Sequence, residues 1–346
     1  MLRRISVKNL GCFDDKWYTV EFSEETLIAG PNNSGKSMLI AGMNLLRYFV
    51  VDKQLSWNTQ YYKLNSFDDA VNGHDPNKII SISIMLTEDS AKHVVEIRIR
   101  RDKPAVLMFN GVRVSGLMWS RIGRLVKNIW HFSPNRSIIP YQSNVAVTSG
   151  PLQQLRPDGS NVINFLLERW TDRDPNWSLV ESWLKKIDPD MSEMKTPIRG
   201  SNVSFETSQS GTSVNVSLQG SGFQNAAAII SAVLFSPKNS TLIIEEPEAF
   251  LHPESQEILV DMLNDAVNNQ GKQIIFSTHS CNILLPFWSD VGKDASQRSK
   301  KHIIADPKKF SMWTFEKALG KVSISRYPLQ SKTFRQFRSD FKGIWG

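Results

Sequence analysis

Eight residues near the N terminus have the types and spacing of a phosphate-binding loop. Residues 30–37 read GPNNSGKS and match the pattern G-x-x-x-x-G-K-S. The glycines let the backbone curve with its N–H groups facing inward, Lys36 reaches toward the outer phosphates of a nucleotide, and Ser37 offers a hydroxyl to Mg²⁺. Lys36 is also predicted to be catalytic. The predicted nucleotide contacts are Gly30, Pro31, Asn32, Asn33, Ser34, Gly35, Lys36 and Ser37.

The elements around this loop are those that the chemistry requires. The apolar segment ETLIAG precedes it and predicts a strand, and the segment SMLIAGMNLLRYFV follows it and predicts a helix. The N terminus of such a helix attracts an anion. A chance match to the pattern would not carry this strand, loop and helix context.

Two carboxylates follow directly after a second apolar run. Residues 242–254 read LIIEEPEAFLHPE, and open α/β sheets bind ligands at the carboxyl ends of such strands. Glu245 is predicted to orient Mg²⁺, and Glu246 is predicted to position the water that attacks the γ-phosphate. The alternative, a pair of acids on an exposed loop, is disfavoured by the four apolar residues that precede them.

A histidine ends the next predicted strand, QIIFSTH. His279 stands there beside the other strand ends, and it is predicted to hydrogen-bond the γ-phosphate as a catalytic residue. A single histidine is more often structural, but its position after this strand favours the functional interpretation.

The order of elements predicts an α/β fold with four segments. Alternating segments predict a β-rich lobe over residues 51–130, and two helices follow in GSNVINFLLERW and WSLVESWLKKI. Two apolar strands flanking the helix ESQEILVDMLNDAVNN then form a βαβ unit, which implies a parallel sheet. The predicted segments are an N-terminal lobe with the phosphate loop and an antiparallel β subdomain (1–145), a helical insertion (146–205), a C-terminal lobe (206–292) and a basic C-terminal segment (293–346).

Composition describes an ordinary globular chain with an uneven charge. The chain has 346 residues, 40% hydrophobic and 22% charged, and a net charge of +7. Residues 293–346 hold 13 Lys or Arg against 4 Asp or Glu, a surface for nucleic acid or an acidic partner, or simply a solvated face. No run reaches the roughly 18 apolar residues of a membrane span, and the N terminus alternates where a signal peptide would be apolar. A cytoplasmic protein with no membrane partner is expected.

Together these motifs resemble a known family. The phosphate loop, GSGFQ at 220–224, LIIEEPEAFLHP and STHS at 277–280 resemble the ABC-type ATPase heads of the SMC, RecF and OLD group. The resemblance implies a P-loop ABC-ATPase head with a mostly parallel core sheet, an antiparallel β lobe and a small helical insertion. It also implies ATP and Mg²⁺ as cofactors, and heads that dimerise around two ATP molecules. By resemblance, Ser221 and Gly222 contact the γ-phosphate bound to the other subunit.

The sequence departs from the family pattern at several positions. Phe223 and Gly220 replace a glycine and a leucine of the signature L-S-G-G-Q, and Glu245 replaces the usual aspartate. No glutamine stands where the Q-loop is expected, near WHFSPNR. Gln142 and Arg136 are both candidates for that role, and neither is assigned.

Three functions fit these features. After His279 the sequence shows no Asp-x-Asp of a Toprim nuclease module, so the leading hypothesis is an ATPase-only protein. It would form a homodimer or higher homo-oligomer and act as sensor or regulator of a separately encoded nuclease or toxin in anti-phage defence. One alternative is a RecF-like DNA-repair ATPase that binds duplex DNA. The other is a scaffold that binds ATP with little turnover.

Overall fold

The computed structural model describes residues 1–59, 62–134, 136, 138–139, 141–143, 155–279, 283 and 309–327. These residues form two compact units. The first contains 1–129, 273–279 and 309–327, and the second contains 130–272 and 283. These units cross the boundaries of the four predicted segments, which stay a prediction.

The first unit contains an antiparallel sheet and a mostly parallel sheet, packed with three helices. The antiparallel sheet has the order β2-β1-β6-β7-β8-β9, and the other contains β18-β3-β19-β20. The bounds are β1 (Leu2–Lys8), β2 (Tyr18–Glu21), β3 (Glu25–Ala29), α1 (Lys36–Asp52), β4 (Asn58–Thr59), β5 (Tyr62–Lys63), α2 (Phe67–Ala70), β6 (Ile80–Glu88), β7 (Ala91–Ile99), β8 (Val106–Phe109), β9 (Val112–Arg113), α3 (Met118–Lys127), β18 (Gln273–Thr278), β19 (Phe310–Ala318) and β20 (Lys321–Arg326).

The predicted alternation of the β-rich lobe is confirmed. In β7 the side chains of Val95, Ile97 and Ile99 are buried, whereas that of Arg98 is exposed and pairs with Glu96. Alternate residues of a strand face opposite sides, so this sheet has one buried face and one solvated face. Such a pattern is typical of an antiparallel lobe.

Three strands of the mostly parallel sheet run in the same direction. β18 and β19 both pair with β3 in parallel, and β20 closes the edge antiparallel to β19. β3 and β18 are buried along their whole length, as expected for strands covered on both faces. The buried amide of Gln273 links this sheet to the other, because it exchanges hydrogen bonds with the backbone of Leu2 and donates to Ser23 O.

The second unit packs four helices with several short strands. Its elements are β10 (Ile129–Phe132), β11 (Gln142–Ser143), α4 (Val162–Thr171), α5 (Trp177–Ile187), β12 (Met191–Lys195), β13 (Ile198–Arg199), β14 (Asn202–Val203), β15 (Glu206–Gln209), β16 (Thr212–Asn215), α6 (Ser221–Phe235), β17 (Thr241–Glu245) and α7 (Pro253–Gln270). β10 and β17 are neighbours in one sheet, and two three-stranded sheets have the orders β11-β14-β13 and β12-β15-β16.

Helix α6 is the centre of this second unit. Its residues from Asn225 to Phe235 are all buried, which is the pattern of a helix surrounded by other elements. The buried ammonium of Lys272 holds its C-terminal end by donating to Leu234 O, Ser236 O and Val233 O. Burial lowers the pKa of Lys272 to about 8, and these carbonyls at a helix C terminus are the partners that a cation prefers.

Two predicted segments differ in content from the structure. The predicted helices of segment 146–205 are present as α4 and α5, but β12, β13 and β14 also lie there, so the segment is not purely helical. Most of the basic segment 293–346 lies outside the described residues. Within the part that is described, Phe310–Ala318 and Lys321–Arg326 are strands of the mostly parallel sheet.

No helix in the described part of the chain combines the length and apolarity that crossing a membrane requires.

Candidate functional site

The phosphate loop lies at the carboxyl end of β3 in the first unit. Gly30 follows the strand with φ 155°, and a side chain there would collide with the backbone carbonyl of Phe315 on β19. Gly35 has φ 106°, and a Cβ would lie 2.9 Å from Cys12 Sγ. Glycine is required at both positions because the backbone conformation and the close neighbours exclude a side chain.

Lys36 is folded into the centre of the loop. Its ammonium donates to Gly30 O at 2.6 Å and to Pro31 O at 2.8 Å, and the side chain is buried. It is also the first residue of α1, which begins after Gly35 without a side-chain cap in the described structure. A cation and an uncapped helix N terminus therefore occur at one place, and both favour a bound anion.

The other loop residues divide into exposed and buried groups. Asn32, Asn33 and Ser37 are exposed, so their polar groups are accessible to a ligand. Ser34 is buried, and its hydroxyl has no hydrogen-bond partner within the described ranges. A buried hydroxyl that lacks a partner is uncommon in proteins, and a phosphate oxygen would provide an acceptor. The residues present therefore fit a nucleotide phosphate group.

His279 lies beside this loop. In the parallel pairing of β18 with β3, Thr278 is opposite Ala29, so the two strands continue into His279 and Gly30 at the same edge. The His279 side chain is exposed. The structure thus brings together Lys36, Ser37 and His279 within the first unit, as parallel strands that end side by side require.

Glu245 is the last residue of β17 in the second unit. The strand is buried throughout, including Glu245 itself. Oε1 of this carboxylate is hydrogen-bonded to Nε2 of His131 on β10 at 2.8 Å, and the His131 side chain is buried. This contact fixes the orientation of the carboxylate. His131 was not predicted, because nothing in the sequence connects two residues 114 positions apart.

Arg136 holds the backbone that carries both acids. Its guanidinium donates to Glu245 O at 3.0 Å through Nη1 and to Glu246 O at 2.9 Å through Nη2. Burial lowers the pKa of Arg136 to about 10, opposed by the charges of Glu245, Glu248 and Glu246. It therefore stays protonated at neutral pH. The segment SPNR after an apolar strand is the sequence signal for this residue.

Asn225 connects the same loop to helix α6. Its Oδ1 accepts from Arg136 Nε at 2.5 Å, and its Nδ2 donates to Pro247 O at 3.1 Å and to Ala249 O at 2.8 Å. Glu246 adopts a left-handed conformation, with φ 45°, which costs energy in a non-glycine residue. The hydrogen bonds of Arg136 and Asn225 stabilise that conformation. The carboxylate loop is therefore fixed from two elements, β10 and α6.

The signature residues stand at the start of α6. Ser221 is exposed, and α6 begins at Ser221 after Gly220 without a side-chain cap. A Cβ on Gly222 would lie 2.5 Å from Phe250 O. The structure thus brings Ser221, Gly222 and the loop after Glu246 together in the second unit. Of the predicted site residues, those of the phosphate loop and His279 lie in the first unit. Ser221, Gly222, Glu245 and Glu246 lie in the second unit.

Gln142, the other Q-loop candidate, lies in β11, but its side chain is outside the described part of the structure. Gln224 of the signature segment donates to Ser217 O and Gln219 O, and accepts from Ile138 N. Its amide therefore has a structural role inside the second unit.

Two family models match successive parts of the chain. One, described as "AAA ATPase domain", matches residues 1–146, and the other, described as "AAA domain, putative AbiEii toxin, Type IV TA system", matches residues 130–285. Together they cover the phosphate loop, both carboxylates and His279.

Curated relatives match over short stretches. Endonuclease GajA of Bacillus cereus (strain HuB5-5) is 32% identical over 83 residues, which is 19% of this chain and 12% of that protein. The OLD nuclease of Thermus scotoductus is 41% identical over 56 residues, which is 16% of this chain and 10% of that protein. The chain thus spans only a small share of the length of these relatives.

Solved structures match over nearly the full chain. An SMC head bound to the C-terminal winged-helix domain of ScpA has a TM-score of 0.63 at 13% identity, covering 95% of this chain and 98% of that one. At this identity the likeness concerns the fold. The predicted fold class, an α/β ABC-ATPase head with parallel and antiparallel sheets, is confirmed.

The fold and the glycine-rich loop are those of an ABC-type ATPase head. In its family models, its partial relatives and its fold, the chain is similar to the ABC-type ATPases of the OLD and SMC-like group.

Proposed function

We propose that this chain binds ATP with Mg²⁺ and hydrolyses it. The observation that carries the proposal is the buried Lys36 ammonium at the centre of a glycine loop, with His279 at the end of the adjacent strand. In this proposal Lys36 binds the outer phosphates and His279 hydrogen-bonds the γ-phosphate.

The acids complete the proposed chemistry. A bound Mg²⁺ ion would neutralise charge on the β- and γ-phosphates. Ser37 and Glu245 are each proposed as a ligand for it, on the family resemblance. Glu246 would accept a proton from the attacking water. The fixed loop supports this assignment, because Arg136 and Asn225 restrain the backbone on both sides of Glu246. Such preorganisation lowers the cost of reaching the reactive geometry.

We further propose a homodimer that closes around ATP. Ser221 is exposed at an uncapped helix N terminus, and this arrangement suits a phosphate presented by a second copy of the chain. The exposed side chains of Leu218 and Phe250 in the second unit provide apolar surface close in sequence to the signature and carboxylate loops.

The closing dimer would act as a cytoplasmic sensor or regulator of a separately encoded effector in anti-phage defence. Support comes from the similarity to GajA and an OLD nuclease, whose names describe nucleases. ATP-dependent closure would change the surface that the effector recognises.

The first experiment measures nucleotide binding and turnover in Lys36→Ala. Without the ammonium the loop lacks its compensating charge, so ATP affinity should fall at least tenfold and phosphate release should stop. Lys103→Ala removes an exposed lysine elsewhere in the first unit and should match the parent. Parental ATP affinity in Lys36→Ala would rule out the phosphate-loop assignment.

The second experiment identifies the partner. Glu246→Gln protein, with ATP and Mg²⁺, is used to capture binding partners from its host, with Lys36→Ala as the nucleotide-free control. A protein that is captured stoichiometrically by Glu246→Gln, but not by the Lys36→Ala control, supports the effector hypothesis. Duplex DNA alone, displaced by salt, favours the repair-type ATPase. Tight ATP binding with negligible turnover in the parent favours the scaffold.

A further inference from the structure

The second unit contains a cavity of about 870 Å³. None of the residues that line it in the described structure has a role in the proposed nucleotide chemistry. Leu167, Arg169, Trp170, Asp174, Trp177 and Ile198 are among its lining residues. Its volume is within the range of small-molecule sites. Trp170 and Ile198 are about half exposed, so large apolar groups remain in contact with solvent at this place.

Arg169 lines this cavity as a buried cation. The residue is 5% exposed, and its Nε is buried with no hydrogen-bond partner in the described part of the chain. Its nearest anion is Asp174, with Nη1 and Oδ2 separated by 3.8 Å. That separation exceeds hydrogen-bond length. A guanidinium carries five N–H donors, and leaving such donors unsatisfied in a protein interior is costly.

Asp174 forms a long ion pair with Arg169 through Oδ2 and makes further contacts of its own. Its Oδ1 accepts from Asn176 N at 2.9 Å, and its backbone O accepts from Trp177 N at 3.0 Å, immediately before α5. One carboxylate oxygen is thus used at the start of α5, and the other faces Arg169 Nη1 at 3.8 Å. This ion pair is longer than a hydrogen bond, so an anion that enters the cavity could still accept from the guanidinium.

The guanidinium lies against two phenylalanine rings, with Cζ 4.8 Å from the ring centre of Phe165 and 6.0 Å from that of Phe235. The rings of Trp170 and Trp177, which also line the cavity, pack with centres 5.0 Å apart. Planar guanidinium and indole faces favour a planar aromatic partner. An anion without a ring would pair with Arg169 but would make no contact with the tryptophan rings that line the cavity.

We propose that this cavity binds an aromatic carboxylate, with Arg169 as the anion partner and Trp170 against the ring. Bidentate contact between a guanidinium and a carboxylate satisfies two donors at once. The ligand is either a free small molecule or the C-terminal residue of a polypeptide, since both present a ring and a carboxylate. The inference does not depend on ATP hydrolysis.

The test uses ¹⁹F NMR titration of the full chain without nucleotide. 4-Fluorophenylacetate should bind at least tenfold more tightly than its neutral amide, because only the acid pairs with Arg169. Arg169→Met should remove this preference. Equal affinities for acid and amide, parental binding by Arg169→Met, or no saturable binding of the acid up to about 10 mM would each overturn the proposal.

Further variants separate binding from folding. Arg169→Met keeps the volume without the charge, so its midpoint of thermal unfolding should equal or exceed that of the parent. Trp170→Ala should weaken binding of the acid several-fold. Trp17→Ala, with a similarly exposed tryptophan in the first unit, should bind like the parent; a loss equal to that of Trp170→Ala would overturn the site assignment.

The source of the ligand is tested with an acetylated Gly-Gly-Phe peptide as free acid and as amide. Tighter binding of the peptide acid than of 4-fluorophenylacetate indicates a polypeptide C terminus. Weaker binding indicates a free small molecule. Both results support an aromatic carboxylate site.

Discussion

Glu246 stands in a conformation that its neighbours impose. Its φ of 45° lies in the left-handed region, and Arg136 Nη2 binds its carbonyl at 2.9 Å. These contacts restrain the backbone that carries the Glu246 carboxylate. This is the arrangement expected of a general base that must point at one water molecule.

Replacing Glu246 by Gln should separate binding from hydrolysis. The amide keeps the shape but cannot take the proton, so turnover should fall about 10² to 10⁴-fold while ATP affinity stays near the parental value. Steady-state phosphate release and equilibrium ATP binding measure the two effects. Glu254→Gln changes an exposed acid in the first turn of α7 and serves as the control. Parental turnover in Glu246→Gln would exclude this residue as the base.

Arg136 tests whether the restrained backbone matters for rate. Lysine retains the charge but lacks the planar fork that reaches Glu245 O, Glu246 O and Asn225 together. We expect Arg136→Lys to lower kcat about tenfold with little change in KM, because the base is displaced while the phosphate loop in the first unit is intact. Arg98→Lys, at an exposed position of β7, should have parental kinetics.

A double variant checks that Arg136 acts through its contact with Asn225. Because the two side chains share a hydrogen bond, the losses in kcat from Arg136→Lys and Asn225→Ala should be less than additive when combined. Strictly additive losses would indicate that Arg136 affects turnover by another route.

At the scale of elements, helix α6 joins the signature residues to the carboxylate loop. Gly222 lies in its first turn against Phe250 O, and Asn225 lies one turn later against Pro247 O and Ala249 O. The start of the helix and the loop therefore pack as one body. Because these parts are closely packed, a shift of the start of α6 also shifts the carboxylate loop.

A methyl group at Gly222 should disturb this contact. The 2.5 Å approach to Phe250 O forces a shift, so we expect Gly222→Ala to lower the free energy of unfolding by about 1 to 3 kcal/mol. ATP-dependent dimerisation should weaken as well, measured by sedimentation with ATP and Mg²⁺. Gly123→Ala adds the same methyl group on α3, where nothing lies within 4 Å, and should leave stability unchanged or raise it by about 0.5 kcal/mol. Equal effects in the two variants would contradict the packing account.

The sequence predicted the elements that carry the site because their signals are local. The glycine pattern before α1, the apolar runs of β3, β17 and β18, and the alternation in β7 each depend on neighbouring residues. The contacts that orient the acids depend on distant residues instead. His131 and Glu245 meet only in the folded chain, and no periodicity encodes such a pair.

At the scale of the whole molecule, the distinction between local and long-range signals also applies to the C-terminal segment, which was predicted only as a basic segment but contains strands. Its excess of basic residues predicted a charged segment, yet β19 pairs with β3 across almost the entire length of the chain. In β19 the first six residues are mostly buried, including Phe310, Met312 and Phe315, whereas the charged residues Glu316 and Lys317 lie at its exposed end. Composition counted over 54 residues averages these two parts and so hides the strand.

One buried acid couples the stability of the molecule to pH. Glu25 opens β3, is almost fully buried, and its Oε1 has no hydrogen-bond partner among the described residues. Burial raises the pKa of Glu25 to about 8. The native protein therefore keeps a proton on Glu25 that the unfolded chain releases near its ordinary pKa of 4.5.

The free energy of unfolding should consequently fall as pH rises from about 4.5 to about 8, by about 1.4 kcal/mol per pH unit and about 4 kcal/mol in all from this residue. Glu25→Gln resembles the neutral acid and lacks the titration. Its stability should equal that of the parent below about pH 4.5 and exceed it increasingly up to about pH 8. Urea unfolding of both proteins across this range measures the difference. The matched control is Glu24→Gln, because Glu24 is the adjacent acid, is partly exposed and faces Lys309 at 3.8 Å. A stability difference for Glu25→Gln that did not vary with pH, or that varied equally for Glu24→Gln, would mean that Glu25 is charged in the folded protein and that a compensating partner reaches it.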